Sequence, residues 1–362
     1  MNANWLPLRA VLSLIIVLGS WELLARLDDT LRYDAPFFGA YNSDTLNEYD
    51  ALGAKGKPHA HYLRWKLNSL GYRGPELNPG QDSILCIGGS ETFGSYESED
   101  MEFPRQLEKD LELQLGEKRF QVVNVAFPRD GLPTAIGRLP HILGKLQPKL
   151  AVVYPSLANS VARYRKPAPQ GLPQELINLR ISEKAWDELK KALPESVQTP
   201  AKELLIWRAT RHEGAMHRLP DSYVQRFRLD IERLIDMLTR AAVRPILVTH
   251  ATRFGVIVPP HERPILVAWR RFYPYLTERG LLDMELQLNE VIRQFAREKG
   301  VAVVDAARGI APSSANFADA VHFTDQGSAI LAKMIADEVL TALRHPDASS
   351  AVQMAREYPR QP

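Results

Sequence analysis

The chain has 362 residues, 45% apolar and 24% charged, enough for a core of ordinary size in one large domain or two small ones. A formal net charge of +2 gives no global electrostatic case for nucleic acid as a partner. The single cysteine, Cys86, excludes an intramolecular disulfide framework and a cysteine-rich zinc site, and within SILCIGG it reads as a small core residue rather than a nucleophile.

The first element is apolar. Residues 10–25 read AVLSLIIVLGSWELLA, and Trp5, Leu6 and Leu8 extend the stretch toward the roughly 20 residues needed to cross a bilayer core. Arg9 precedes it and Glu22 lies within it. The expectation is an uncleaved membrane anchor over residues 1–30. Two alternatives stand beside it. A cleaved signal peptide would use Leu18-Gly19-Ser20, where the leucine spoils the small-x-small site. A soluble or interfacial helix would carry a polar stripe that the centre of this one lacks. Arg9 and the amino terminus lie on one side, while Arg26 and Arg32 are balanced by Asp28 and Asp29 on the other. The charge bias leans toward a cytoplasmic N-terminus, which implies a single pass of the inner membrane with the body of the protein in the periplasm or outside the cell.

Residues 31–80 read as a linker and N-terminal extension. Within them HYLRWKLNSLGYRGPE (61–76) is expected as a short strand or extended segment that ends in a turn at Gly71–Pro75. From residue 83 short apolar runs alternate with amphipathic segments. Strands are expected at 83–89, 120–126, 150–156, 244–251 and 301–307, and helices at 103–115, 133–146, 222–241 and 281–299, with a kink at Pro140. Valine-rich strands separated by helices imply a mostly parallel five-stranded sheet covered on both faces. The fold class is therefore α/β, a three-layer α/β/α sandwich over residues 81–345, with a tail at 346–362. Two insertions, 160–221 and 253–280, follow carboxyl ends of strands, the edge where open parallel sheets bind ligands. They are candidates for a substrate-shaping lid.

Chemistry concentrates at two places. CIGGSETFG (86–94) presents Ser90 directly after the first strand of that series and before its first helix. Gly88 and Gly89 permit a tight turn, and the N–H groups of the following helix start suit a developing oxyanion. A plain helix-capping serine is the alternative, and a phosphate-binding loop is disfavoured because no Gly-Lys-Ser/Thr ending follows. The second place is DAVHFTDQG (319–327). Asp319 and His322 are three residues apart, just before the last helix. That spacing lets the carboxylate hold one imidazole nitrogen while the other faces a serine.

Together, GGSETFG and DAVH resemble the SGNH or GDSL hydrolase family, whose first block reads G-D/G-S-x-T-x-G and whose last reads D-x-x-H. The resemblance runs over about residues 83–340, and NSLGYRGPE (68–76) looks like a segment found ahead of the catalytic block in membrane-anchored bacterial members. It implies Ser90 as nucleophile, His322 as base and Asp319 as its orienter. It also implies an oxyanion hole built from the Ser90 N–H, a backbone N–H of a second block and an asparagine side chain of a third. The second block here is NVAFPRDG (124–131), with Arg129 where the family has glycine and Gly131 as the alternative. The third block is YPSLANS, with Asn159 as candidate donor and Ser160 in place of the common aspartate. His250, at the end of the fourth expected strand, is a candidate substrate contact. Trp269, Phe272, Tyr273 and Tyr275 are candidates for a lid or for stacking on sugar rings. No metal or cofactor is implied.

The expected activity is carboxylic ester hydrolysis through an acyl-enzyme. A membrane-tethered, exported member fits removal of acetyl or acyl groups from a cell-surface or exported polysaccharide. Acyl transfer to a glycan, a lipid or lysophospholipid esterase, and a non-catalytic accessory protein of polysaccharide assembly remain alternatives.

Overall fold

A computed structural model describes residues 6–165, 179–212, 214–255 and 257–344. The expected C-terminal tail and residues 166–178 of the first insertion fall outside these residues. Helix α1 (Leu6–Tyr33) carries the apolar stretch, exposed on all sides from Leu8 to Trp21. The extension then forms two small antiparallel hairpins, β1 (Asn47–Asp50) with β2 (Gly53–Gly56) and β3 (His61–Tyr62) with β4 (Trp65–Lys66). The expected extended segment is thus a hairpin followed by the turn at Gly71–Pro75, where Asn68 Oδ1 accepts the N–H groups of Leu70 and Tyr72.

The main sheet contains β5 (Asp82–Gly88), β6 (Phe120–Asn124), β7 (Leu150–Tyr154), β8 (Arg244–Val248) and β9 (Ala302–Val304), all parallel, in the order β6-β5-β7-β8-β9. Its helices are α2 (Ser90–Phe93), α3 (Phe103–Leu115), α4 (Leu132–Lys145), α5 (Leu157–Arg165), α6 (Arg180–Ala192), α7 (Glu195–Thr210), α8 (Asp221–Arg240), α9 (Arg263–Arg270), α10 (Glu278–Lys299), α11 (Ala306–Gly309) and α12 (Asp325–Arg344). Alternation along each strand divides the core in two. Leu85 and Ile87 pack with α4, α8 and α10 on one face, and Ile84 and Cys86 with α3 and α12 on the other. The three-layer α/β/α architecture expected from the sequence is the one observed.

Strand ends differ in detail, for local reasons. β7 stops at Tyr154 because Pro155 has no N–H for the ladder. β9 stops at Val304, where Asp305 turns aside to hold the Arg293 guanidinium at 2.9 Å and to accept the Thr249 hydroxyl at 2.9 Å. Helix α4 continues through Pro140.

The extension is packed onto this sandwich. Leu46, Ala60 and Leu67 form a third apolar cluster with Phe93 of α2 and with Ala126 and Phe127 beyond β6. Arg138 of α4 ties the first hairpin in place, reaching the carbonyls of Gly53 at 3.3 Å and Ala54 at 2.7 Å. Arg73, from the YRGPE turn, is 4% exposed and hydrogen-bonds the carbonyls of Phe93 and Gly94 while pairing with Glu102 at 3.1 Å.

Candidate active site

The apolar run of β5 delivers the chain to the carboxyl edge of the sheet, where two glycines make the turn into α2. Neither position tolerates a side chain. A Cβ on Gly88 would lie 2.5 Å from the Tyr154 carbonyl, and one on Gly89 would lie 2.9 Å from the Asp130 carbonyl and 2.7 Å from Ser156 Cβ. The turn into Ser90 is therefore pressed against both the second block and the start of the third.

Ser90 and the Asp-x-x-His segment meet at this edge. His322 Nε2 lies 2.8 Å from Ser90 Oγ, and His322 Nδ1 lies 2.8 Å from Asp319 Oδ2. With Nδ1 donating to the carboxylate, Nε2 is left to accept the serine hydroxyl. Asp319 is fixed by its own loop, since Oδ1 accepts the backbone N–H groups of Val321 at 3.0 Å and His322 at 2.9 Å. Burial pushes the Asp319 carboxyl up. The His322 hydrogen bond and charge and those two N–H groups outweigh it, leaving the group below the usual carboxylate range. His322 moves the other way. Burial opposes its charging, but the Asp319 hydrogen bond and charge, reinforced by Glu91 and Glu97, hold its pKa above the ordinary imidazole value. Tyr96 stands over the imidazole with ring centroids 5.1 Å apart.

The second block turns at Pro128-Arg129, closed by the Asp130 N–H donating to the Phe127 carbonyl at 3.1 Å. Arg129 has φ +70°, the left-handed value that the third position of such a turn requires and that glycine adopts most readily. The Asp130 carboxylate is clamped by Arg138 at 3.1 and 3.0 Å. Gly131 then packs on the third block, where an added Cβ would lie 2.7 Å from the Ser160 amide nitrogen and 2.9 Å from the Asn159 carbonyl carbon. Ser160 fastens the two blocks together by donating to the Ser156 carbonyl at 2.7 Å and accepting the Leu132 N–H at 3.0 Å. Asn159 Oδ1 accepts the Tyr273 hydroxyl at 2.7 Å, which turns the amide NH₂ the other way.

His250 is a correction. Expected at the substrate edge, it is 2% exposed, with Tyr154 stacked on its ring at 5.3 Å. Nδ1 lies 2.8 Å from Glu285 Oε2 and Nε2 lies 3.3 Å from Glu91 Oε1, so neither nitrogen is free for a substrate. Burial disfavours the imidazolium, but the two carboxylates outweigh it and raise the pKa well above the ordinary value. Glu91 is buried too. The hydrogen bond and charge of His250 overcome its burial and hold it ionised. Its other oxygen lies 3.3 Å from Ser90 Oγ, and Ser156 Oγ donates to Oε1 at 2.9 Å. This Glu91–His250–Glu285 chain was missed from sequence. The available signal was an acid placed directly after the serine in GGSETFG. Of the four aromatic candidates in the second insertion, Trp269 is core, stacked on Phe254, and Tyr273 hydrogen-bonds Asn159.

A cavity of about 370 Å³ opens beside the site, lined in part by Leu46, Trp65, Phe93, Tyr96, Phe127 and Arg129. The extension thus supplies one wall of the cleft.

A parallel α/β/α sandwich with a serine, a histidine and an aspartate in hydrogen-bonded line at its carboxyl edge defines a hydrolase-type architecture. The chain belongs to the GDSL-like lipase/acylhydrolase family, whose pattern it matches over residues 86–330. This makes it an ester hydrolase of the serine esterase and lipase type. No curated protein matches the chain. Among solved structures it is similar to a lipase/acylhydrolase from Enterococcus faecalis, at 16% identity over 72% of this chain and 95% of that one, with a TM-score of 0.43. It is also similar to the psychrotrophic esterase EstA from Pseudoalteromonas sp., at 11% identity over 73% of this chain and all of that one, TM-score 0.43. A third is a GDSL-like lipase from Bacteroides thetaiotaomicron, at 13% identity over 74% and 93%, TM-score 0.41.

Proposed function

We propose that the protein hydrolyses esters through a Ser90–His322–Asp319 triad, and that its substrate is an O-acylated polysaccharide at the cell surface or on its way there. The observation that carries the triad is the pair of 2.8 Å contacts on opposite nitrogens of one imidazole. Ser90 Oγ attacks the ester carbonyl as His322 Nε2 takes its proton, and Asp319 stabilises the resulting imidazolium. The tetrahedral oxyanion is held by the Ser90 N–H, the Arg129 N–H and the Asn159 side-chain NH₂. His322 returns the proton to the departing alcohol. Water, activated by the same imidazole, then attacks the acyl-Ser90 carbonyl and releases the acid.

Two features support a glycan. The cleft walls include Trp65 and Tyr96, flat surfaces suited to sugar rings, and Arg129 stands at its edge. Helix α1, long and apolar enough to cross a membrane, serves in this reading as an inner-membrane anchor, with the catalytic body exported. The test is acetate release from O-acetylated polysaccharides by the full chain, run against acetylated and long-chain lipid esters. Faster turnover of long acyl chains than of acetyl groups contradicts the glycan reading, while loss of all turnover in Ser90→Ala is expected in either case.

A further inference from the structure

Glu22, the acidic residue that interrupts the apolar stretch, has a partner. Its carboxylate accepts the N–H groups of Ile181 at 2.9 Å and Arg180 at 3.3 Å, the first unpaired donors of α6. Around it the charged face of α1 docks on α6. Lys184 reaches Asp28 at 2.8 Å and Asp29 at 2.9 Å, and Arg180, 1% exposed, lies 3.6 Å from Asp29. This leaves the opposite face of α1, with Leu23, Leu24, Leu27 and Leu31, as exposed as the stretch before it. Helix α7 follows α6 after a two-residue bend, where Gln198 Nε2 caps the carbonyls of Lys190 and Leu193 at 2.8 Å each. It is held to the body by buried Ile206 and by Glu203, 2.8 Å from Arg263.

Helices α6 and α7 nevertheless carry apolar side chains that no part of the described chain covers. On α6, Leu179, Trp186 and Leu189 recur at helical spacing, and on α7 so do Val197, Leu204 and Trp207. All six are about half exposed or more. Lys190 lies over the Trp186 ring at 5.5 Å, a long cation alongside an exposed aromatic. Depth follows from length. A bilayer core takes about 20 residues, and the uncharged run of α1 ends at Trp21, ahead of Glu22 where α6 begins, so α6 starts at the edge of that core. A segment bolted to α1 there meets the interfacial zone, where tryptophans and snorkelling lysines are favoured.

We propose that α6–α7 is a membrane-contact segment, seated in the lipid headgroup region of the bilayer that α1 crosses. The proposal rests on the anchor reading of α1 given above. It assigns the first insertion to the membrane rather than to a lid over the substrate.

The test uses the full chain in vesicles of phosphatidylcholine and phosphatidylglycerol, with nitroxide labels on single introduced cysteines. Native Cys86 is fully buried and does not compete for the label. Labels replace Trp186 on α6 and Leu204 on α7, with Ile15 as anchor control and Leu113 as solvent control. Collision with oxygen is compared with collision with a water-soluble nickel chelate. Expected is oxygen dominating at Ile15, 186 and 204, with the ratio reversed at 113. Chelate dominating at 186 and 204 while Ile15 is lipid-shielded overturns the membrane-contact proposal alone. Chelate dominating at Ile15 as well overturns the anchor and the proposal with it. Spin–spin broadening at 186 or 204 that vanishes on dilution with unlabelled chain assigns the surface to a second copy and also overturns it.

Discussion

Arg129 shows at the scale of one residue how this site departs from the pattern its family leads one to expect. A left-handed conformation costs a non-glycine residue about 1 kcal/mol, and the chain keeps arginine there. Arg129→Gly preserves the backbone donor and relieves that strain. It is expected to raise stability by up to about 1 kcal/mol in urea unfolding. A clear loss of stability would show that the guanidinium holds the turn. Asn159→Ala is expected to lower kcat on an activated ester about 10²–10³-fold, as for loss of one oxyanion donor. Unchanged turnover removes Asn159 from the oxyanion hole. His322 makes a third prediction. Its pKa is raised, and the base works only when neutral, so kcat/KM rises with pH through an apparent pKa above 6.5. Asp319→Asn removes the main raising influence and shifts that limb downward while lowering the rate. A limb that stays in place would mean another group titrates.

Elements explain what the sequence could and could not disclose. Ser90 and the Asp319–His322 pair were legible because each lies in a short contiguous motif at the junction of a strand or loop with a helix. The sheet order alone then had to bring the motifs to one edge. The Glu91–His250–Glu285 chain was not legible. Its members lie on α2, after β8 and on α10, 159 and 35 residues apart, and only the packing of those elements joins them. The end of β8 was readable as a place near the site, but not as a buried one. The sequence offers Gly131 as an alternative donor, and the structure adds a packing role for it, the close approach of the α4 start to α5. Gly131→Ala is expected to cost about 1–3 kcal/mol by overpacking and to lower activity through displacement of Asn159. Wild-type stability and rate in that variant would mean the two loops move apart freely.

For the whole molecule, the buried charges set how stability depends on pH. His250 binds its proton more tightly in the folded chain than in the unfolded one. Its contribution is complete below pH 6.5, the unfolded value, and declines as pH rises beyond that. Glu91 is held ionised, so its contribution is complete above pH 4.5 and is lost as pH falls. The pair therefore stabilises most between about pH 4.5 and 6.5. His250→Ala leaves two carboxylates buried without their counter-charge and is expected to cost about 3–5 kcal/mol in urea unfolding. The variant should also lose the decline above pH 6.5. Retention of that decline would place its origin elsewhere in the chain. Helix α1, the extension and the sandwich are linked by side-chain contacts, Glu22 to α6 and Arg73 to the end of α2, so the sequence's apparent linker is packed onto the α/β/α body.

The most direct measurement is covalent labelling of the full chain with a fluorophosphonate, followed by mass spectrometry of the modified peptide. The account predicts one adduct, on Ser90, absent in Ser90→Ala and formed far more slowly in His322→Ala. A folded wild-type protein that takes up no label at Ser90, or a Ser90→Ala variant labelled as fast as wild type, would contradict it.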